Sequence, residues 1–223
     1  MRPGGHSDKR RILVLISGGG TNLQALIDAT RDDEFPGGIV AVISNKPDAG
    51  GLTRAQHARI PTESLDHRQY PDRHSFDQAL MAHIDAYQPD LVVLAGFMRI
   101  LTSDFVRHYH GRLLNIHPSL LPRYPGLHTH RQALAAGDAE HGATVHFVTE
   151  ELDGGPGILQ TRVPILPNDT EASLAARVLT EEHRIYPEVV RWFCEGRLVL
   201  DENTVVFDGQ PLTQPLQQAL DKH

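Results

Sequence analysis

Asn115 and His117 stand two residues apart in Gly111-Arg112-Leu113-Leu114-Asn115-Ile116-His117, an apolar run that ends at Pro118. A strand has a side-chain period of two, so the amide and the imidazole project from one face and meet side by side. Pro118 biases His117 away from helix and keeps the strand end extended. An amide can donate to an oxygen that turns negative, and an imidazole can donate to the same oxygen or move a proton; together they are equipment for attack on a carbonyl. Asn-X-His by itself is also compatible with an idle polar pair at a sheet edge. The residues that follow, Pro118-Ser119-Leu120-Leu121-Pro122, weigh against that.

A second stretch suited to binding lies near the start. Arg11 to Ser17 is a continuous apolar run typical of a buried parallel strand, and Gly18-Gly19-Gly20-Thr21-Asn22 turns it into the helical pattern Leu23 to Asp28, with Thr21 or Asn22 expected near the cap. Strand, glycine loop and helix start is the geometry that offers free backbone N–H groups to an anion. The loop is neither Gly-X-Gly-X-X-Gly nor a Walker loop, so it points to one phosphate rather than a dinucleotide. A plain tight turn is the alternative.

These two stretches need a scaffold, and the remaining pattern supplies one. Strands are expected over Ile39–Ser44, Thr62–Leu65 and Asp90–Gly96, with helices over Leu52–Arg59 and Ser75–Tyr87 between them. Alternating strands and helices indicate an α/β fold with a mainly parallel sheet, whose ligands gather beyond the carboxyl ends of strands. The loops after Ser17, Gly96 and His117 all lie at such ends. Phe97-Met98-Arg99-Ile100-Leu101 carries apolar residues around one arginine, which suits an apolar wall for a flat ligand. Further on, a short helix over His130–Ala136 ends at Gly137, and Gly142–Thr149 and Ile158–Ile165 read as antiparallel partners that make the sheet mixed. A long helix over Glu171–Glu195 is expected to kink at Pro187, and Arg197–Leu200 with Val205–Phe207 to form a terminal hairpin. The expectation is therefore a single Rossmann-like domain over 11–209, a mixed and mainly parallel sheet flanked by helices, with a disordered tail over 1–10 and a C-terminal tail over 210–223.

Composition narrows the partners. The 223 residues are enough for one large domain, and 40% hydrophobic with 22% charged residues is ordinary for a globular protein. A net charge of -7 argues against a nucleic-acid surface. The single Cys194 sits on the expected buried side of a helix, and no apolar run reaches the ~18 residues of a membrane span, so a cytoplasmic location is the expectation. Among 14 histidines the close pairs His108/His110 and His128/His130 lack an acidic or cysteine partner at ligand spacing, and no metal is expected.

Taken together, Leu114 to Pro122, the preceding Gly96-Phe97-Met98-Arg99-Ile100-Leu101 and the following Leu152-Asp153-Gly154-Gly155 resemble the folate-dependent formyltransferases. Ser17 to Asn22 and Tyr124-Pro125-Gly126-Leu127-His128-Thr129-His130 make the chain similar to the branch that acts on glycinamide ribonucleotide, from about Arg11 to Gly209. The resemblance implies formyl transfer from 10-formyltetrahydrofolate to the amino group of that ribonucleotide, in purine synthesis. It implies a catalytic set of Asn115, His117 and Asp153, with Asp153 orienting His117 and favouring its charged form. Gly20, Thr21 and Asn22 would hold the phosphate and Glu182 the ribose end. Arg73, Met98, Arg99, Ile100, Leu101, Asn115, Thr149, Glu150, Glu151, Leu152 and Asp153 would border the folate.

A cis peptide at Leu121-Pro122 is also expected, from the sharp loop between Pro118 and Pro125 together with the resemblance. Two departures stand out: the family often has Asn where Gly19 stands, and a branched residue where Gly157 stands. A methionyl-tRNA formyltransferase, a formyltetrahydrofolate deformylase and a non-catalytic nucleotide-binding module are the alternatives. The first usually carries a further nucleic-acid-binding domain and the second an N-terminal regulatory domain, and neither is expected for this sequence. Retention of all three catalytic residue types weighs against the third. The expected partners are the two small molecules, with no nucleic acid and no membrane; a homodimer stays open.

Overall fold

The computed structural model describes residues 9–218. Its first half runs β1 (Arg10–Ile16), α1 (Thr21–Thr30), β2 (Gly37–Ser44), α2 (Gly50–His57), β3 (Thr62–Ser64), α3 (Arg73–Ala86), β4 (Leu91–Leu94), α4 (Ser103–His108) and β5 (Leu113–His117). The second half adds α5 (Thr129–Ala136), β6 (Glu140–Phe147), β7 (Gly157–Pro164), α6 (Glu171–Cys194), β8 (Leu198–Asp201), β9 (Thr204–Phe207), β10 (Gln210–Pro211) and β11 (Leu216–Gln217).

One sheet has the order β11-β7-β6-β5-β4-β1-β2-β3, and β8, β9 and β10 form a small second sheet. Pairing is parallel from β3 through β2, β1 and β4 to β5, then antiparallel through β6 to β7. Alternation along β1 divides the core. Ile12, Val14 and Ile16 face the layer of α1 and α6, while Leu13 and Leu15 face that of α3 and α4, and all five are fully buried. This is the Rossmann-like, mixed and mainly parallel single domain that the alternating elements indicated.

Helix α6 passes through Pro187 without interruption. A proline in a helix interior costs ~3 kcal/mol. Ile185, Tyr186, Val189 and Val190 on either side of it are fully buried, and the Tyr186 hydroxyl contacts the Leu94 and Leu114 carbonyls at 2.7 and 3.1 Å. Packing of that face on β4 and β5 offsets the lost backbone bond. Residues 210–217, set apart as tail on sequence, carry β10 on β9 and β11 on β7. The tail expected over 1–10 lies outside the described residues up to residue 8, and Arg10 already belongs to β1.

Candidate functional site

The carboxyl ends of β1, β4 and β5 border a cavity of about 690 Å³. Asn115, His117 and Asp153 all line it, with His117 and Asp153 side chains each 8% exposed. β5 places the first two on one face; the third arrives on the turn between β6 and β7. Asp153 takes a left-handed backbone, φ 51°, and its carboxylate Oδ2 lies 3.5 Å from His117 Nδ1. The same oxygen accepts the Gly126 N–H at 2.8 Å. His117 Nε2 donates to the Tyr124 carbonyl at 2.8 Å, so both ring nitrogens face oxygen acceptors. Such a setting accommodates a ring that donates from both nitrogens. The Leu121-Pro122 peptide in the loop above is cis, as expected.

One wall of the cavity is the segment Phe97–Leu101, and Met98 and Ile100 are 63% and 54% exposed there. Large apolar side chains open to solvent beside converging polar groups suit a flat ligand. The wall is anchored from beneath. Ser17 Oγ accepts the Met98 N–H at 2.8 Å and donates to Asn45 Oδ1 at 2.5 Å, with Ser17 and Asn45 both buried. Arg99 lies over the Phe76 ring at 4.5 Å. Thr149, Glu150, Glu151 and Leu152 form the opposite rim.

At the other end stand Asn22 and Glu182. Gly20 is the N-cap of α1, at φ 75°, with no side-chain cap and no acidic residue in the first turn. The cap falls one residue before the Thr21 or Asn22 expected. First-turn N–H groups are thus unclaimed by any capping side chain, which leaves them for an anion. The loop carbonyls are held away. Gly18 O accepts the Gly51 N–H at 2.9 Å and Gly19 O accepts Arg54 Nε at 2.7 Å, which also sets a positive charge beside the loop. Glu182 interrupts the apolar stripe of α6 between Val178 and Ile185 and is 7% exposed, not a solvated helix face. Burial pushes its carboxyl up to about 7, opposed by the Asn22 amide. Asn22 Oδ1 and His183 Nε2 are buried without a protein partner.

Not every expected residue meets the cavity. Gly20 and Thr21 sit just behind Asn22, outside the lining, and Arg73 is exposed on the first turn of α3. Sequence reasoning missed Arg54 and His146. The first carried no signal beyond a charge on a short helix. The second did: alternation along Gly142–Thr149 puts Thr144 and His146 on one face, and two polar residues on an inward strand face ask for partners.

Fold and site together define a formyl transferase, and the chain belongs to that family: residues 10–190 match the family described as "Formyl transferase". It is 59% identical over 201 residues to the phosphoribosylglycinamide formyltransferase of Escherichia coli K12, covering 90% of this chain and 95% of that one. Similarity to the trifunctional purine biosynthetic protein adenosine-3 of Homo sapiens is 47% over 195 residues, 87% of this chain and 19% of that protein. Among solved structures, the phosphoribosylglycinamide formyltransferase of Coxiella burnetii superposes with a TM-score of 0.89 at 53% identity, covering 94% of this chain and all of that one.

Proposed function

We propose that the chain transfers the formyl group of 10-formyltetrahydrofolate to the amino group of glycinamide ribonucleotide, in de novo purine synthesis. The single observation that carries this reading is the convergence of Asn115, His117 and Asp153 on one cavity whose far end is the uncapped start of α1. A cavity lined both by this cluster and by Asn22 at that helix start suits an acceptor with a phosphate at one end and an amine at the other.

In this reading the ribonucleotide phosphate rests on the N–H groups of Gly20, Thr21 and Asn22, and Glu182 accepts from the ribose hydroxyls. The folate lies between the Phe97–Leu101 wall and the rim Thr149–Asp153. Arg73 meets the part that projects beyond the cavity; support comes from the Asp77 carboxylate, which accepts the Thr102 N–H at 2.8 Å and so keeps the start of α3 near that wall. The amine attacks the formyl carbon and the C=O electrons move to oxygen. Asn115 and His117 donate to that oxyanion. A proton then passes from the nitrogen of the former amine to the folate nitrogen, through His117 or a water it holds, and the C=O re-forms as the bond from the formyl carbon to that folate nitrogen breaks. In this step His117 exchanges the Tyr124 carbonyl for substrate. Asp153 holds the ring through Nδ1.

The test is acceptor choice. Purified protein given 10-formyltetrahydrofolate should formylate glycinamide ribonucleotide and leave initiator methionyl-tRNA unmodified. Formylation of the tRNA, or hydrolysis of the folate with no acceptor required, would replace this reading by one of the two related activities.

A further inference from the structure

Beside Asn115 lies His146, 2% exposed and directly opposite it in the antiparallel pairing of β5 with β6. Residues so paired project from the same face of a sheet. His146 Nδ1 is 3.0 Å from the Phe147 carbonyl oxygen, and Nε2 is 3.4 Å from Asn115 Nδ2. A carbonyl only accepts, so Nδ1 carries the hydrogen. A neutral imidazole has one donor and one acceptor, which leaves a lone pair on Nε2.

That lone pair takes an N–H from the Asn115 amide and would repel its carbonyl. We propose that His146 is a positioning residue for formyl transfer: fixed by the Phe147 carbonyl as an acceptor, it holds the Asn115 amide in the one orientation that leaves its second N–H for the cavity. The inference rests on the reading of Asn115 as a donor to the formyl oxygen.

The surroundings keep His146 neutral. Burial lowers its affinity for a proton first of all, and a charge on His117 would lower it further. Two groups pull the other way. The Phe147 carbonyl does so by its hydrogen bond, and the Asp153 carboxylate, whose Oδ1 is 4.0 Å from Nε2, does so by its charge, beyond hydrogen-bond reach. A protonated His146 would present a donor to Asn115 Nδ2 and turn the amide over. The site would then offer a carbonyl oxygen to an oxyanion.

Steady-state kinetics on His146→Leu and His146→Gln, each alone and combined with Asn115→Ala, tests this as a double-mutant cycle. His146→Leu should lower kcat by roughly 10- to 100-fold, below the ~10²–10³-fold expected for loss of an oxyanion donor. KM for both substrates should stay near its starting value. Gln can still accept through Oε1 and should recover most of the loss. In the Asn115→Ala background, His146→Leu should cost almost nothing. An equal loss in both backgrounds would overturn the proposal, since His146 would then act independently of Asn115. Near-normal turnover by Asn115→Ala alone would overturn the reading of Asn115 as well. Nitrogen-15 NMR of histidine-labelled wild-type protein gives a check that needs no variant to fold: the neutral Nδ1–H tautomer at pH 7 is expected, and the Nε2–H tautomer or an imidazolium would refute the assignment.

Discussion

The Asn22 amide donates to Glu182 Oε1 across 3.2 Å, joining the first turn of α1 to the buried stripe of α6. One hydrogen bond is little for a buried carboxylate, and burial accordingly raises its proton affinity. The folded chain holds this proton up to about pH 7, whereas the unfolded chain releases it near 4.5. Its stabilising contribution is full below the lower value and gone above the higher one. Glu182→Gln should therefore be more stable than wild type at pH 8, by up to ~3 kcal/mol, and no different at pH 4. Thermal midpoints across that range decide it. The same variant should bind glycinamide ribonucleotide at least about tenfold more weakly at pH 8, because a carboxylate acceptor is exchanged for a neutral one.

His141 titrates against this trend. Its ring is 1% exposed, with Nε2 3.1 Å from His130 Nδ1, and burial, then His130, pull it from 6.5 down to about 4. Here the unfolded chain binds the proton first, so stability is full above pH 6.5 and is lost as pH falls towards 4. His141→Gln should remove the loss of stability that this ring adds as pH falls from 6.5 towards 4. In wild type the two groups change stability in opposite directions over nearly the same window, and each single variant should expose the slope of the other. A His141→Gln profile parallel to wild type would remove His141 from that account.

Asp153 at φ 51° allows a clean separation of charge from backbone. Asn tolerates the left-handed region almost as well as any side chain, while Ala does not. Asp153→Asn should lower turnover by roughly 10²–10⁴-fold with the thermal midpoint nearly unmoved. Asp153→Ala should lose turnover and add ~1–2 kcal/mol of destabilisation. Near-normal turnover in the Asn variant would leave Asp153 as a turn residue only.

Adjacent glycines in the loop proposed to hold phosphate should respond in opposite ways. A Cβ on Gly20 would lie 2.7 Å from the Gly51 Cα, in a left-handed conformation besides. Gly20→Ala should destabilise the fold and abolish ribonucleotide binding while calorimetry still detects folate. A Cβ on Gly19 meets nothing within 4 Å. Gly19→Asn should raise stability by about 0.4–1 kcal/mol through the unfolded chain, with ribonucleotide affinity retained. Loss of affinity in the Asn variant would mean that the loop is shaped differently around phosphate.

Much of this architecture is legible in the chain because buried parallel strands are written as unbroken apolar runs. β4 falls within the run at Asp90 for that reason, and β1 and β2 begin only one and two residues before the runs at Arg11 and Ile39. α4 escaped notice, being six residues whose start depends on the Thr102 side chain accepting the Phe105 N–H. β11 escaped because its partner β7 lies 57 residues earlier and two residues leave no period to read. For the site, residues on one strand were paired by period alone, whereas the His146 contact needs the β5–β6 register. Arg73 and Arg54 illustrate the converse. A charge on a helix says nothing of what it stands beside until neighbouring elements are placed.

Gly157 gains a role from what lies against it. A Cβ there would come within 2.6 Å of the Pro215 ring, just before β11 pairs Leu216 with Leu159 and Gln217 with Gln160. A branched residue at this position would push that segment off. β11 is short and ends one flank of the large sheet, and β3, three residues long, ends the other. Long open flanks recruit other chains, and blunted ones do not. The side chain omitted at Gly157 thus leaves room for the short strand that covers β7, and shortening the chain at residue 209 should raise its light scattering on concentration, as an uncovered β7 pairs with other chains.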